Sequence, residues 1–162
     1  MEIRPIIQSQ YFAALEMLKQ TIVKCPERLW NDPVDIDPCW QKAYHALFFC
    51  HMNLQNTFND FRPWEKHHDP DAGVPFSQEE VLEYLVFVQK QVEEHVPLLD
   101  LEARSGFDWL PFDKLELQFF SIRHIQQHAG ELYERLGSKA NIEFDWVSQT
   151  PEYLKQLAIQ KE

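Results

Sequence analysis

Four segments of this chain repeat apolar side chains at steps of three and four residues, and caps or prolines bound them. That pattern selects an all-α helical bundle. The first spans about residues 6–24, with Tyr11, Leu15, Leu18 and Ile22 on one stripe and Pro26 just beyond it. In the second, Asp37 and Pro38 read as N-cap and first-turn proline, and the segment carries Trp40, Tyr44, Leu47, Phe48, Leu54 and Phe58. Its apolar arc is wide, which predicts a central helix. The third opens with the capping box Ser77-Gln-Glu-Glu80 and runs through Val81, Leu85, Val88 and Val92 to Pro97. The fourth begins near Asp113, with Glu116 three residues on, and is predicted to end at Gly137 as its left-handed C-terminal residue.

The connection from Asp60 to Phe76 is long, polar and rich in Pro and Asp, whereas helices that simply reverse direction need only a short loop. Extended, it could reach roughly 50 Å, more than the roughly 30 Å length of a helix of about 20 residues, so the second and third helices can run parallel. This predicts an up-down-down-up four-helix bundle occupying residues 1–162 as one domain. After Gly137, Phe144, Trp146 and Val147 are expected to cover the bundle's flank, and Thr150-Pro151-Glu152 to start a short terminal helix.

A formal charge of −11 disfavours phosphate backbones and anionic lipid surfaces, so neither nucleic acid nor membrane is an expected partner. No basic leader followed by an apolar run and no long apolar span is visible, and the expected location is the cytoplasm. Cys25, Cys39 and Cys50 form an odd set without CxxC spacing and read as reduced thiols. No phosphate-cradling glycine motif and no nucleophile elbow is present.

The chemistry-bearing residues are histidines. His124 and His128, four apart, share one helix face, and Leu117, Phe120 and Leu132 continue that face as an apolar stripe. Two inward imidazoles on one face are hard to satisfy with neutral core partners, and one cation satisfies both. The ordinary alternative is a pair bonded to water or to Glu116, Gln127 or Glu131. A third ligand must come from another helix, and His45, flanked by Tyr44, Leu47, Phe48 and Phe49, is the first choice, with His51 its competitor. His67 and His68 read as a solvated turn and His95 as ordinary surface. Three imidazoles would leave a coordination position open, as in a reactive zinc site, and nickel suits the same nitrogens. A divalent ion there makes a thiol or water more acidic, so thiol transfer or hydrolysis on a small-molecule substrate is the expected chemistry.

The stretches AYHALFF in the second helix and IRHIQQHAGEL in the fourth resemble the DinB/YfiT-like family of four-helix proteins. The resemblance extends from the first helix through NIEFDWV. It implies a metal triad of His45, His124 and His128, an up-down-down-up fold and a homodimer. It also implies an S-transferase or isomerase reaction that uses a low-molecular-weight thiol of the bacillithiol or mycothiol type. A reading of a different class is a non-catalytic, stress-related metal-binding or interaction module.

Overall fold

A computed structural model describes residues 2–149, which are all-helical apart from loops and one isolated antiparallel bridge between Arg104 and Asp113. The helices are α1 (Arg4–Lys24), α2 (Glu27–Trp30), α3 (Cys39–Asn53), α4 (Gln78–His95) and α5 (Lys114–Ala140), with 3-10 turns at Phe58–Asp60, Pro70–Ala72 and Val96–Leu98. Because α2 is a single turn, four long helices carry the bundle. α1 and α3 each pack against both α4 and α5, and so sit across a diagonal from one another. None of these helices is long and apolar enough to cross a membrane.

Polar ties between helix ends fix the directions. Gln78, opening α4, donates to the carbonyls of Ile22 (2.9 Å) and Cys25 (2.8 Å) at the end of α1. Arg4, opening α1, donates to the carbonyl of Leu99 just beyond α4 (3.1 and 2.8 Å), so these two helices are antiparallel. Tyr11 donates to Gln118 (2.8 Å) near the starts of α1 and α5, and Gln20 exchanges hydrogen bonds with the Asp145 backbone near their ends, so this pair is parallel. Lys114 at the start of α5 reaches the carbonyls of Gln55 and Asn56 beyond the end of α3, which makes α3 and α5 antiparallel.

The core follows the sequence stripes. Tyr11, Leu15, Leu18 and Ile22 of α1 are fully buried, as are Val81, Val88 and Val92 of α4. At Ser77 the capping box forms: the Ser77 hydroxyl accepts from the Glu80 N–H, and Glu80 accepts from the Ser77 N–H at 2.8 Å. Asp113 caps α5 by accepting from the Glu116 N–H at 2.8 Å. The tail covers the α1/α5 flank, where Phe144 stacks on Tyr133 with centroids 4.2 Å apart, although Trp146 stays exposed. The terminal helix expected at Thr150-Pro151-Glu152 lies outside the described residues.

Three expected boundaries are corrected. α3 stops at Asn53 and does not reach Phe58. The Gln55 and Asn56 carbonyls turn to Lys114 instead of continuing the helix, and Thr57 caps a separate 3-10 turn through Asp60. Asp37 does not cap α3; Pro38 holds that position, while the Asp37 carbonyl accepts from Arg135 at 2.6 Å. α5 continues through Gly137 to Ala140, and Asn141 takes the left-handed conformation (φ 53°), which its short polar side chain tolerates.

The segment joining α4 to α5 is anchored at two unusual points. Lys114 is 2 % exposed, and its ammonium donates to the carbonyls of Gln55 (2.9 Å), Asn56 (2.9 Å) and Ser105. Burial pushes its pKa down to about 8, against an opposing pull from Asp60. Gly106 has φ +84°, and a Cβ there would lie 2.0 Å from the Asn56 carbonyl oxygen. We expect Gly106→Ala to lower unfolding free energy by about 2–4 kcal/mol in urea titrations, since both conformation and space exclude a side chain.

His51 is buried on α3 with Nδ1 3.1 Å from the Tyr84 hydroxyl, and burial, followed by the charge of His95, lowers its pKa to about 4. Above the ordinary histidine pKa of about 6.5 the ring is neutral whether the chain is folded or not. As pH falls from there towards 4, the unfolded chain takes a proton that the folded chain refuses, so stability is lost. Between pH 7.5 and 5 the wild type is expected to lose about 2 kcal/mol more than His51→Gln, measured by denaturant midpoints at both pH values.

Candidate metal centre

His45 projects from the middle of α3, and His124 and His128 project one turn apart from α5. Among the described residues these three form a group whose ligand atoms all lie within 4.8 Å of one another. The His124 Nε2 is 3.2 Å from the His45 Nε2 and 2.9 Å from the His128 Nε2. Three nitrogens bound tetrahedrally to zinc at about 2.0–2.1 Å would stand roughly 3.3 Å apart, so the two direct separations are close to the spacing a cation would impose.

The protonation pattern makes the same point chemically. His128 Nδ1 lies 3.0 Å from the Glu131 carboxylate, which can only accept, so Nδ1 carries hydrogen and neutral His128 presents a bare lone pair at Nε2. Glu131 is itself tied to Lys42 at 2.7 Å and to Gln127 at 3.0 Å. Burial works to raise its pKa, but the hydrogen bonds from Lys42, Gln127 and His128 prevail and hold it at about 2. Burial pushes His124 down to about 4, helped by His128 and His45, and burial then His128 lower His45 in the same direction. Near neutral pH the His45 and His124 rings are therefore uncharged, as cation ligation requires. At most one hydrogen can sit between each pair of these Nε2 atoms, whereas a divalent cation accepts all three lone pairs. The donor set fits such an ion.

The two flanks of the triad differ. On one side lies a polar cleft of about 150 Å³ bordered by Asp37, Gln41, Lys42, His45 and His128. On the other, Phe49 packs 4.6 Å from the His45 ring and 5.5 Å from His124, and Phe120 stacks on His124 with planes 7° apart. A second cleft, of about 230 Å³, opens beside His45 and is lined by Tyr44, Phe48, Phe49 and His67.

Placement of the expected residues is uneven. The His45, His124 and His128 side chains meet, with His45 the exposed member of the three although Ala43, Tyr44, Ala46 and Leu47 around it are buried. His51 points away, onto Tyr84. His67 is not a solvated turn residue: its Nδ1 lies 2.6 Å from the Tyr44 hydroxyl. His68 stacks on Phe76 with centroids 3.8 Å apart. The signal for both was the length of the Asp60 to Phe76 connection, since long ordered loops commonly carry site residues. Cys25, Cys39 and Cys50 are all free and buried, and burial raises the Cys50 thiol, which suits a packing role.

Comparison of the chain with protein-family models, with curated proteins and with solved structures found no match. Site geometry therefore carries the functional argument. Glu131→Gln removes the carboxylate that orients His128, and we expect zinc affinity to fall about 10–100-fold in competition titrations with the helical circular-dichroism spectrum unchanged.

Proposed function

We propose that this chain is a DinB/YfiT-like metalloprotein in which His45, His124 and His128 hold one zinc or nickel ion and promote attack by a thiol or water on a small-molecule electrophile. The single observation that carries this reading is the convergence of three Nε2 atoms from two helices, two of the separations being 3.2 and 2.9 Å. Helix directions support the up-down-down-up order: α1 is antiparallel to α4 and parallel to α5, and α3 is antiparallel to α5.

A divalent ion in this site supplies Lewis acidity that increases the fraction of thiolate or hydroxide near neutral pH. The chain's own residues supply orientation. Glu131 fixes the His128 tautomer, and Lys42, at 2.7 Å, neutralises Glu131. Two clefts border His45, a polar one beside Lys42 and an aromatic one beside Phe48, and we assign one reactant to each. A bimolecular transfer benefits from such placement because binding both partners replaces much of the orientational entropy that the reaction otherwise loses.

Elemental analysis of tag-free protein and of His45→Ala, His124→Ala and His128→Ala tests the centre. About one zinc or nickel per chain is expected, falling several-fold in each variant while helical content is kept. Unchanged metal in all three variants would sink the proposal. Conjugation of small thiols to a chromogenic haloarene, and hydrolysis of an activated ester, then test the chemistry. Metal removal by chelation should abolish at least one of them and readdition restore it; no acceleration of either by the loaded protein rejects the catalytic part.

A further inference from the structure

The long connection between α3 and α4 returns over α3 and builds the outer wall of the cleft beside His45. Phe48 and Phe49 give the cleft an apolar floor, and His67 packs nearly parallel to Tyr44, with their planes 15° apart. The volume, about 230 Å³, decides what fits. An apolar cavity of about 150 Å³ accommodates benzene, so this cleft has room for a six-membered ring with a substituent.

The polar atoms of the wall are also assigned by chemistry. At 2.6 Å the contact between the Tyr44 hydroxyl and His67 Nδ1 is shorter than an N–H donor normally makes and within the range of an O–H donor, so the hydroxyl donates to Nδ1. Burial, then the neighbouring His68, lowers the His67 pKa, so the ring is neutral. With Nδ1 accepting, the hydrogen of the neutral ring is on Nε2, and His67 offers a bound molecule an N–H donor. At the mouth, Asp71 accepts from Gln41 at 3.3 Å and places a negative charge where an anionic substrate would enter.

We propose that this cleft is the electrophile subsite, and that it takes an uncharged single-ring aromatic compound whose hydrogen-bond acceptor is held by the His67 Nε2–H. Its role as an electrophile subsite rests on the metal-centre reading above, whereas binding of the compound does not. The donor fixes which end of the compound faces His45, and Phe48 and Phe49 supply the stacking surface.

Ligand-observed NMR titrations of the full-length, tag-free chain with acetophenone, ethylbenzene and benzoate read the cleft directly, with zinc content measured on the same samples. Acetophenone is expected to bind about fivefold tighter than ethylbenzene, which lacks the acceptor, and tighter than anionic benzoate. Phe48→Ala should weaken acetophenone and ethylbenzene together. His67→Phe keeps a planar ring and should erase the preference for acetophenone while leaving ethylbenzene unchanged. Equal affinities in the wild type, a preference that survives His67→Phe, or benzoate binding tightest overturns the proposal. The two readings fail separately: a chain that binds acetophenone but no zinc keeps the cleft and loses the metal centre. One that binds zinc but neither neutral compound loses the cleft alone.

Discussion

The Lys114 ammonium sets the register on which the site depends. It is bound by the carbonyls of Gln55, Asn56 and Ser105 in an environment with almost no water, where leaving it unpaired would cost several kcal/mol. That demand pins the end of α3 to the start of α5. About ten residues back along α3 lies His45, and about ten forward along α5 lies His124; each run covers roughly 15 Å of helix. The antiparallel pair therefore brings the two imidazoles level. Three residues before His45 on α3 and seven after His124 on α5, Lys42 meets Glu131 at 2.7 Å, and beyond them Arg135 reaches the Asp37 carbonyl at 2.6 Å. One buried cation and two surface ties hold the helices in a single alignment.

That alignment explains the asymmetry around the triad. The start of α3 lies beside the later turns of α5, where Lys42, Glu131 and Arg135 put charge at the surface, so the flank toward Asp37 is polar. Toward the end of α3 and the start of α5, Phe49, Phe61, Leu110, Phe112 and Phe120 gather around buried Met52, Phe107 and Leu117. The histidines stand at the border of these two environments. Desolvation from the aromatic side keeps His124 neutral, and hydrogen bonding from the polar side fixes the tautomer of His128.

Residues whose role follows from local periodicity were legible in the sequence. The α1 stripe, the Ser77 capping box, the Asp113 cap and the shared face of His124 and His128 are set by spacing along one helix and by the apolar positions beside it. What was not legible depends on partners distant in the chain. The early end of α3 is decided by Lys114, some sixty positions away, and the left-handed turn at Asn141 by how α5 leaves the bundle. His67 reads as solvated beside His68 and Asp69, and only the return of its loop onto Tyr44 brings it to a wall. Gly106 carries no helical signal at all; its necessity comes from a carbonyl on another segment.

His45 and His124 are 79 positions apart, so any ion they share joins distant parts of the chain as a cross-link does, restricting the unfolded ensemble by about 4 kcal/mol in the chain-entropy picture. An ion bound by these lone pairs would fasten α3 to α5, and its binding free energy would become folding free energy. Thermal stability and metal supply would be coupled by such a cross-link, and the melting temperature of the bundle would then act as a gauge of the free ion around it.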